Sequence, residues 1–371
     1  MRRSSTRSSE GGRPGPGGSR KPGARGAAAI LLMALLCAGA SASIFDHGLD
    51  SVPGRAAVMD GSWAAAWQAG FENSLPLRGG AIGLWTMLRY GLFREARPEV
   101  LIGSGGWLFS SEEFDPPDAL SVPLARAVDR IASTRDLLAA KGIGLVIALV
   151  PTKASVQREH LGRYVIPPEL QTRYADALGA MRARGITAPD LLGPLRTGAV
   201  TADMYLRTDT HWTPQGARRA AVAVASSVAP LLDARGSPRE PFVTASGAER
   251  VVAGDLLKFI PLGPWQRRGP APDVVAQTTT TVEEGGEAPE ELFGGLEIPV
   301  ALVGTSYSAN AVSGFEGALK DALDADVLNV AEEGRGPFAP MEAYLGSPAI
   351  DDPRPDVVVW EIPERYLAPN M

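Results

Sequence analysis

Two short motifs of this chain bring together a carboxylate, an imidazole and a hydroxyl: Asp209-Thr210-His211-Trp212 and, well downstream, Gly304-Thr305-Ser306-Tyr307-Ser308. A serine hydroxyl attacks poorly until a base takes its proton. An imidazole serves best when a carboxylate orients it and stabilises its charged form. The motifs therefore predict acyl transfer through an acyl-serine intermediate, with Ser306 as nucleophile, His211 as base and Asp209 as orienting acid. Read singly, each has a plainer meaning: a Gly-x-Ser turn can cap a helix, and a lone histidine can be structural. Their pairing favours the relay. Two residues apart on an extended segment, Asp209 and His211 point to one side.

The chain has three histidines. His47 and His160, the latter in Gln157-Arg158-Glu159-His160, lack such a context and read as surface residues. Asp209 and His211 could also hold zinc, but the remaining residues do not complete a metal site. No metal and no cofactor is expected.

The positioning elements follow from hydrophobic pattern. Ile298–Val303 is an apolar run that ends at Gly304 and delivers Ser306 to the turn after a strand. In open α/β sheets chemistry sits at the C-terminal ends of strands. The N–H groups of that turn, from Gly304 onward, could stabilise an oxyanion. Gly144–Val150 (GLVIALV), closed by Pro151, reads as a strand buried on both faces. Lys153, two residues further, could reach an anionic substrate. Gly336, in Gly334-Arg335-Gly336 after a strand over Asp326–Val330, could give a second oxyanion N–H. Tyr307 is a further candidate for oxyanion or substrate contact.

Helices are predicted from Ser121 to the stop at Lys141-Gly142, near Glu169–Arg184, and near Gly314–Leu323. Another begins at Thr213-Pro214, with threonine as N-cap and proline first in the helix, and is ended or kinked by Pro230. A short extended segment is expected around Ile186–Leu192 and a last strand over Val357–Glu361. Ser104–Phe109 reads as a tight turn entering a strand. Nearly all-apolar strands alternating with helices predict an α/β fold, a mostly parallel central sheet with helices on both faces. Residues 234–297 are Gly/Pro-rich, carry the run Thr278–Thr281 and the acidic pair Glu283-Glu284, and read as an irregular insertion bordering the cleft. No internal repeat is present.

The 371-residue chain carries a formal net charge of -6, which gives no footprint for nucleic acid. Residues 1–26 hold seven basic side chains against Glu10 and read as a disordered basic leader. Residues 27–45 are uncharged. They fit a secretory signal with a small-residue site at Ala40-Ser41-Ala42, and equally a retained membrane anchor. Either way the positive flank predicts an extracytoplasmic body. Residues 46–99 read as a linker and entry segment, and 100–371 as the catalytic domain. Cys37 is the only cysteine, so the body has no disulfide.

On these residues the chain resembles the alginate O-acetyltransferase family, whose fold is similar to that of SGNH (GDSL-type) hydrolases. Tyr205-Leu206-Arg207-Thr208 before the histidine motif, Gly106-Trp107-Leu108-Phe109, Pro151-Thr152-Lys153 and Val359-Trp360-Glu361-Ile362-Pro363-Glu364-Arg365 extend the likeness over residues 100–367. The resemblance implies an SGNH-like three-layer fold and an exported, often membrane-anchored protein of the periplasm or cell envelope. It implies acetylation of exopolysaccharide hydroxyls, with a membrane-bound O-acyltransferase partner as acetyl source. It also implies the roles given above to Ser306, His211 and Asp209. Departures are visible: Thr305 stands where GDSL hydrolases have aspartate. Trp360-Glu361 stands where they carry Gly-x-Asn-Asp, so their asparagine oxyanion donor has no counterpart. Two other functions share these features. A carbohydrate acetylesterase would use the same three residues with water as acceptor, and a non-catalytic export subunit would not use them.

Overall fold

The computed structural model describes residues 78–116, 121–283 and 298–367, with a few positions before them. The chain divides into two units, Met1–Ala81 and Ile82–Met371, and the second carries the site. The basic leader, nearly all of the signal or anchor segment 27–45, His47 and Glu284 lie outside the described residues. Among those described, no helix is long and apolar enough to cross a membrane. The expected entry segment contains a helix, Arg78–Leu88.

The first hairpin pairs β1 (Val100–Ile102) with β2 (Leu108–Ser110), antiparallel. Its turn uses Gly105 at φ +62 and Gly106 at φ +85, backbone angles that L side chains rarely adopt. The central sheet holds β3 (Gly144–Val150), β6 (Val300–Val303), β7 (Val327–Asn329) and β8 (Val357–Pro363). Their order is β3-β8-β6-β7, and every pairing is parallel. The continuous apolar runs are explained by coverage on both faces.

Alternate residues of one strand serve different cores. Val146, Ala148, Val300, Leu302, Val357 and Val359 pack against helices α3 (Pro214–Asp233) and α4 (Phe315–Leu323). Leu145, Ile147, Ala301, Val303, Val358 and Trp360 face α1 (Ser121–Ala140), α2 (Arg173–Ala183) and α5 (Phe338–Leu345). This is the α/β three-layer arrangement expected from the alternation of strands and helices.

The cap at α3 is as expected: the Thr213 side chain accepts from Gly216 N, with Pro214 first in the helix. Pro230 does not end α3, which runs on to Asp233. The helix expected over Glu169–Arg184 is split into Pro168–Gln171 and α2. The extended segment after it reduces to one bridge, Val146 to Thr187, before a helix over Leu192–Ala199.

Residues 234–297 are not irregular throughout. β4 (Phe242–Val252) and β5 (Asp273–Val282) form a long antiparallel ribbon with a bulge between Ser246 and Glu249. A two-stranded ribbon is open to solvent, and its Val243, Val251 and Val274 are exposed. The bulge interrupts the alternation that would otherwise signal strands.

Candidate active site

Ser306 begins a single helical turn, Ser306–Ala309, directly after β6. The helix cap is not Ser306 but Thr305, whose hydroxyl accepts from Tyr307 N at 3.3 Å. This leaves Ser306 free of capping duty, half-buried between the buried Thr305 and Tyr307. Its Oγ lies 2.7 Å from His211 Nε2, and His211 Nδ1 lies 2.6 Å from Asp209 Oδ1. The structure thus brings the three predicted residues into one hydrogen-bonded line across two distant segments.

Asp209 and His211 meet by a different route from the extended alternation expected. The segment is a run of bends, and Asp209 Oδ1 also accepts His211 N at 2.9 Å, a side-chain turn that folds the carboxylate back toward the ring. Asp209 Oδ2 accepts Asp255 N at 2.9 Å. Burial pushes the Asp209 carboxyl up. Hydrogen bonds from the His211 ring, its charge, and the N–H groups of His211 and Asp255 outweigh this and hold it below the usual carboxylate range.

A loop without regular structure must find partners for its backbone elsewhere. Here each carbonyl from Arg207 to His211 has a donor. Leu108 N donates to Arg207 O, Leu256 N to Thr208 O and Leu206 N to His211 O. The Tyr307 hydroxyl donates to Thr210 O at 2.7 Å. Lys153 Nζ donates to Leu108 O (2.6 Å), Asp209 O (2.9 Å) and Arg207 O (3.0 Å). Two further carboxylates secure the N–H side. Asp273 accepts from Arg207 N, Thr208 N and the Thr208 hydroxyl, and Asp255 accepts from Thr210 N and the Thr210 hydroxyl. Asp255 follows Gly254, where a Cβ would collide with the Thr208 carbonyl.

Lys153 therefore does not reach out to substrate as expected. It is fully buried, against the Trp107 and Phe109 rings. Burial pushes its ammonium down to about 8, against the opposing pull of Glu113, Asp273, Asp209 and Asp255. The turn it begins, Lys153–Val156, is capped by Thr152 and buried along its length, so the side chain meets partners far away in the chain. Tyr307 is likewise not a substrate contact through its side chain. It is buried between His211 and Trp212, with burial raising its hydroxyl's pKa. Trp212 is core, and its Nε1 donates to Tyr307 O at 3.2 Å. His160 is not a free surface residue, since it stacks on Trp107 at 4.3 Å between ring centroids.

Gly304 has a steric reason. A Cβ there would lie 2.5 Å from Glu361 Oε2, a side chain that sequence reasoning gave no role. Glu361 is fully buried beneath the serine turn. Its Oε2 accepts from Thr305 N (2.7 Å), the Thr305 hydroxyl (3.0 Å) and the Ser308 hydroxyl (3.2 Å). Burial pushes its carboxyl up to about 7, tempered by those bonds and by His211. The available signal was a lone glutamate inside the buried strand VVVWEIP, since a buried carboxyl must find donors. Gly336, at φ +63, lines a separate groove with Arg126, Arg130, Phe338 and Tyr366, and none of the three relay residues lines that groove.

Ligand atoms of Asp209, His211 and Asp255 lie within 4.8 Å of one another, a spacing a cation could use. The carboxylate oxygens already accept protein N–H and O–H groups, and His211 Nε2 faces Ser306. A metal would have to displace those bonds.

Residues 100–364 match the family model described as SGNH hydrolase-like domain, acetyltransferase AlgX. A curated relative, the probable alginate O-acetylase AlgJ of Pseudomonas aeruginosa, is 42% identical over 339 residues, covering 86% of this chain and 84% of its own. Among solved structures, the O-acetyltransferase domain of Pseudomonas putida AlgJ superposes with a TM-score of 0.66 at 39% identity, over 74% of this chain and 94% of that one. Pseudomonas aeruginosa AlgX gives 0.59 at 27% identity, over 71% and 61%.

Proposed function

The chain belongs to the AlgX family of SGNH hydrolase-like acetyltransferases, and from that premise we propose that it acetylates hydroxyl groups of an exported polysaccharide through an acetyl-Ser306 intermediate. The observation that carries the reading is the unbroken line Ser306 Oγ–His211 Nε2 and His211 Nδ1–Asp209 Oδ1, at 2.7 and 2.6 Å. In the first half-reaction His211 takes the Ser306 proton as Oγ attacks the acetyl carbonyl. The proton then passes to the departing donor group as the tetrahedral intermediate collapses. In the second half-reaction His211 takes the proton of a sugar hydroxyl, whose oxygen attacks the acetyl-serine ester and regenerates Ser306. Asp209 stabilises the imidazolium at both stages. The Ser306 N–H, first in its turn, has no acceptor within the helix and is the proposed oxyanion donor.

The names of the relatives favour alginate as the polymer. The family resemblance favours a membrane-bound O-acyltransferase as acetyl source and an extracytoplasmic location, with residues 27–45 as the signal or anchor. The test is to follow labelled acetyl from a small activated ester in the presence of alginate oligosaccharide. Label on the polymer supports transfer, whereas label released only as acetate favours the acetylesterase function.

A further inference from the structure

The run Thr278–Thr281 finds no part in the serine relay, yet its alternation is informative. In β5, Thr278 and Thr280 are half-buried while Thr279 and Thr281 are exposed. The inward pair presses on α4 so closely that a Cβ at Gly314 or Gly317 would collide with the Thr278 or Thr280 hydroxyl. Across the register Ser246 faces Thr278 and Thr244 faces Thr280, the latter pair with hydroxyls 2.8 Å apart. One face of the ribbon is therefore a ladder of hydroxyls turned toward the helices that begin beside the relay.

Between this ladder and the first turns of α3 and α4 lies a groove of about 510 Å³, within the size range of ordinary ligand sites. Ser306, His211 and Asp209 do not line it, but its walls continue from the segments that carry them. Thr213 lies two residues past His211, and Ser313 donates to the Tyr307 carbonyl at 3.3 Å. A second hollow runs on along α3 and shares Gln215 and Arg218 with the first. Gln215, Arg218 and Ser246 are exposed, and the side chain of none makes a hydrogen bond or ion pair among the described residues. Hydroxyls, an amide and the guanidinium groups of Arg218 and Arg219, set against the one carboxylate of Asp203, line the two adjoining hollows and match a sugar chain that carries carboxylates. The hydroxyls and amide exchange hydrogen bonds with sugar hydroxyls, and a guanidinium grips a carboxylate with two N–H groups.

We propose that this channel is the acceptor track, holding an acidic sugar chain through the hydroxyl ladder and Arg218 so that one of its hydroxyls is presented to acetyl-Ser306. The inference rests on the polysaccharide-acetylating function above and adds where the polymer lies and what binds it. Charge pairing with arginines in a channel open to solvent makes binding salt-sensitive.

The experiment uses the full chain and an alginate oligosaccharide as probe. Binding is measured by calorimetry in the Ser306→Ala background, and KM and kcat for acetyl transfer in the otherwise unaltered chain. The combined change Arg218→Ala with Ser246→Ala is expected to weaken binding and raise the oligosaccharide KM about tenfold or more, with a much smaller change in kcat. Thr279→Val, on the outward face of β5, should leave both unchanged, and unaltered melting temperatures establish that the variants fold. Binding and KM unaffected by the combined change, or no oligosaccharide binding by the parent chain, overturns the track. Binding intact without any acetyl transfer counts instead against the acetylating function.

Discussion

Replacing Glu361 with glutamine tests the support beneath Ser306, because the carboxyl leaves a thermodynamic signature that an amide cannot. Its pKa is about 7 in the folded chain, against 4.5 for an unperturbed glutamate, and burial is the main cause. Between those values the folded state keeps a proton that the unfolded state has lost. The stability this group contributes is thus fully present below 4.5 and is lost as pH rises through about 7. Over pH 5 to 8 the loss amounts to roughly 2–3 kcal/mol at 1.36 kcal/mol per pH unit. Glutamine has nearly the same shape and no such proton. The Glu361→Gln chain should therefore gain on the parent as pH rises, by roughly 5–10 °C in melting temperature over that interval. The assay is thermal unfolding of both chains across a buffer series. Activity should move the other way. The amide nitrogen cannot accept from Thr305 or Ser308, the serine turn loosens, and kcat should fall by about tenfold or more. Melting curves that stay parallel from pH 5 to 8 would refute the buried, titrating carboxyl.

Three further outcomes are expected. Asp209→Asn should cost about 10⁴-fold in kcat, the scale met in other serine relays when the orienting acid becomes an amide, with folding intact by circular dichroism. Lys153→Met should leave the Leu108 and Asp209 carbonyls without that donor and destabilise the chain by about 3–5 kcal/mol. Denaturant unfolding reads this, and in the fraction that stays folded kcat should fall more than KM rises. Gly254→Ala should push the Thr208 carbonyl aside at a cost of about 1–3 kcal/mol. Steady-state kinetics should show kcat reduced, because Asp255 N holds Asp209 from the next position.

The parts legible in the sequence are those whose cause is local. Gly144–Val150 and Ile298–Val303 are apolar from end to end, and Thr213-Pro214 is a complete helix start. Asp209, His211 and Ser306 stood out because a relay needs those residue types, and the fold brings them within hydrogen-bonding distance. What stayed hidden depends on distant partners. Asp255 and Asp273 look like ordinary loop acids until the Arg207–His211 backbone is seen against them. Lys153 looks solvated until its turn is seen to point inward. The ribbon is hidden because Gly247, the bulge beside it and exposed valines break the alternation by which strands are recognised.

Passage of the acetyl group through Ser306 is tested by trapping the acetyl-serine ester. The purified chain is mixed with a small activated acetyl ester, quenched in acid within a turnover, digested and weighed by mass spectrometry. One added acetyl group is expected on the peptide carrying Gly304–Ser308, located on Ser306 by fragmentation, and none in the Ser306→Ala chain. Acetyl found only at other residues, or full turnover by a folded Ser306→Ala chain, would contradict it.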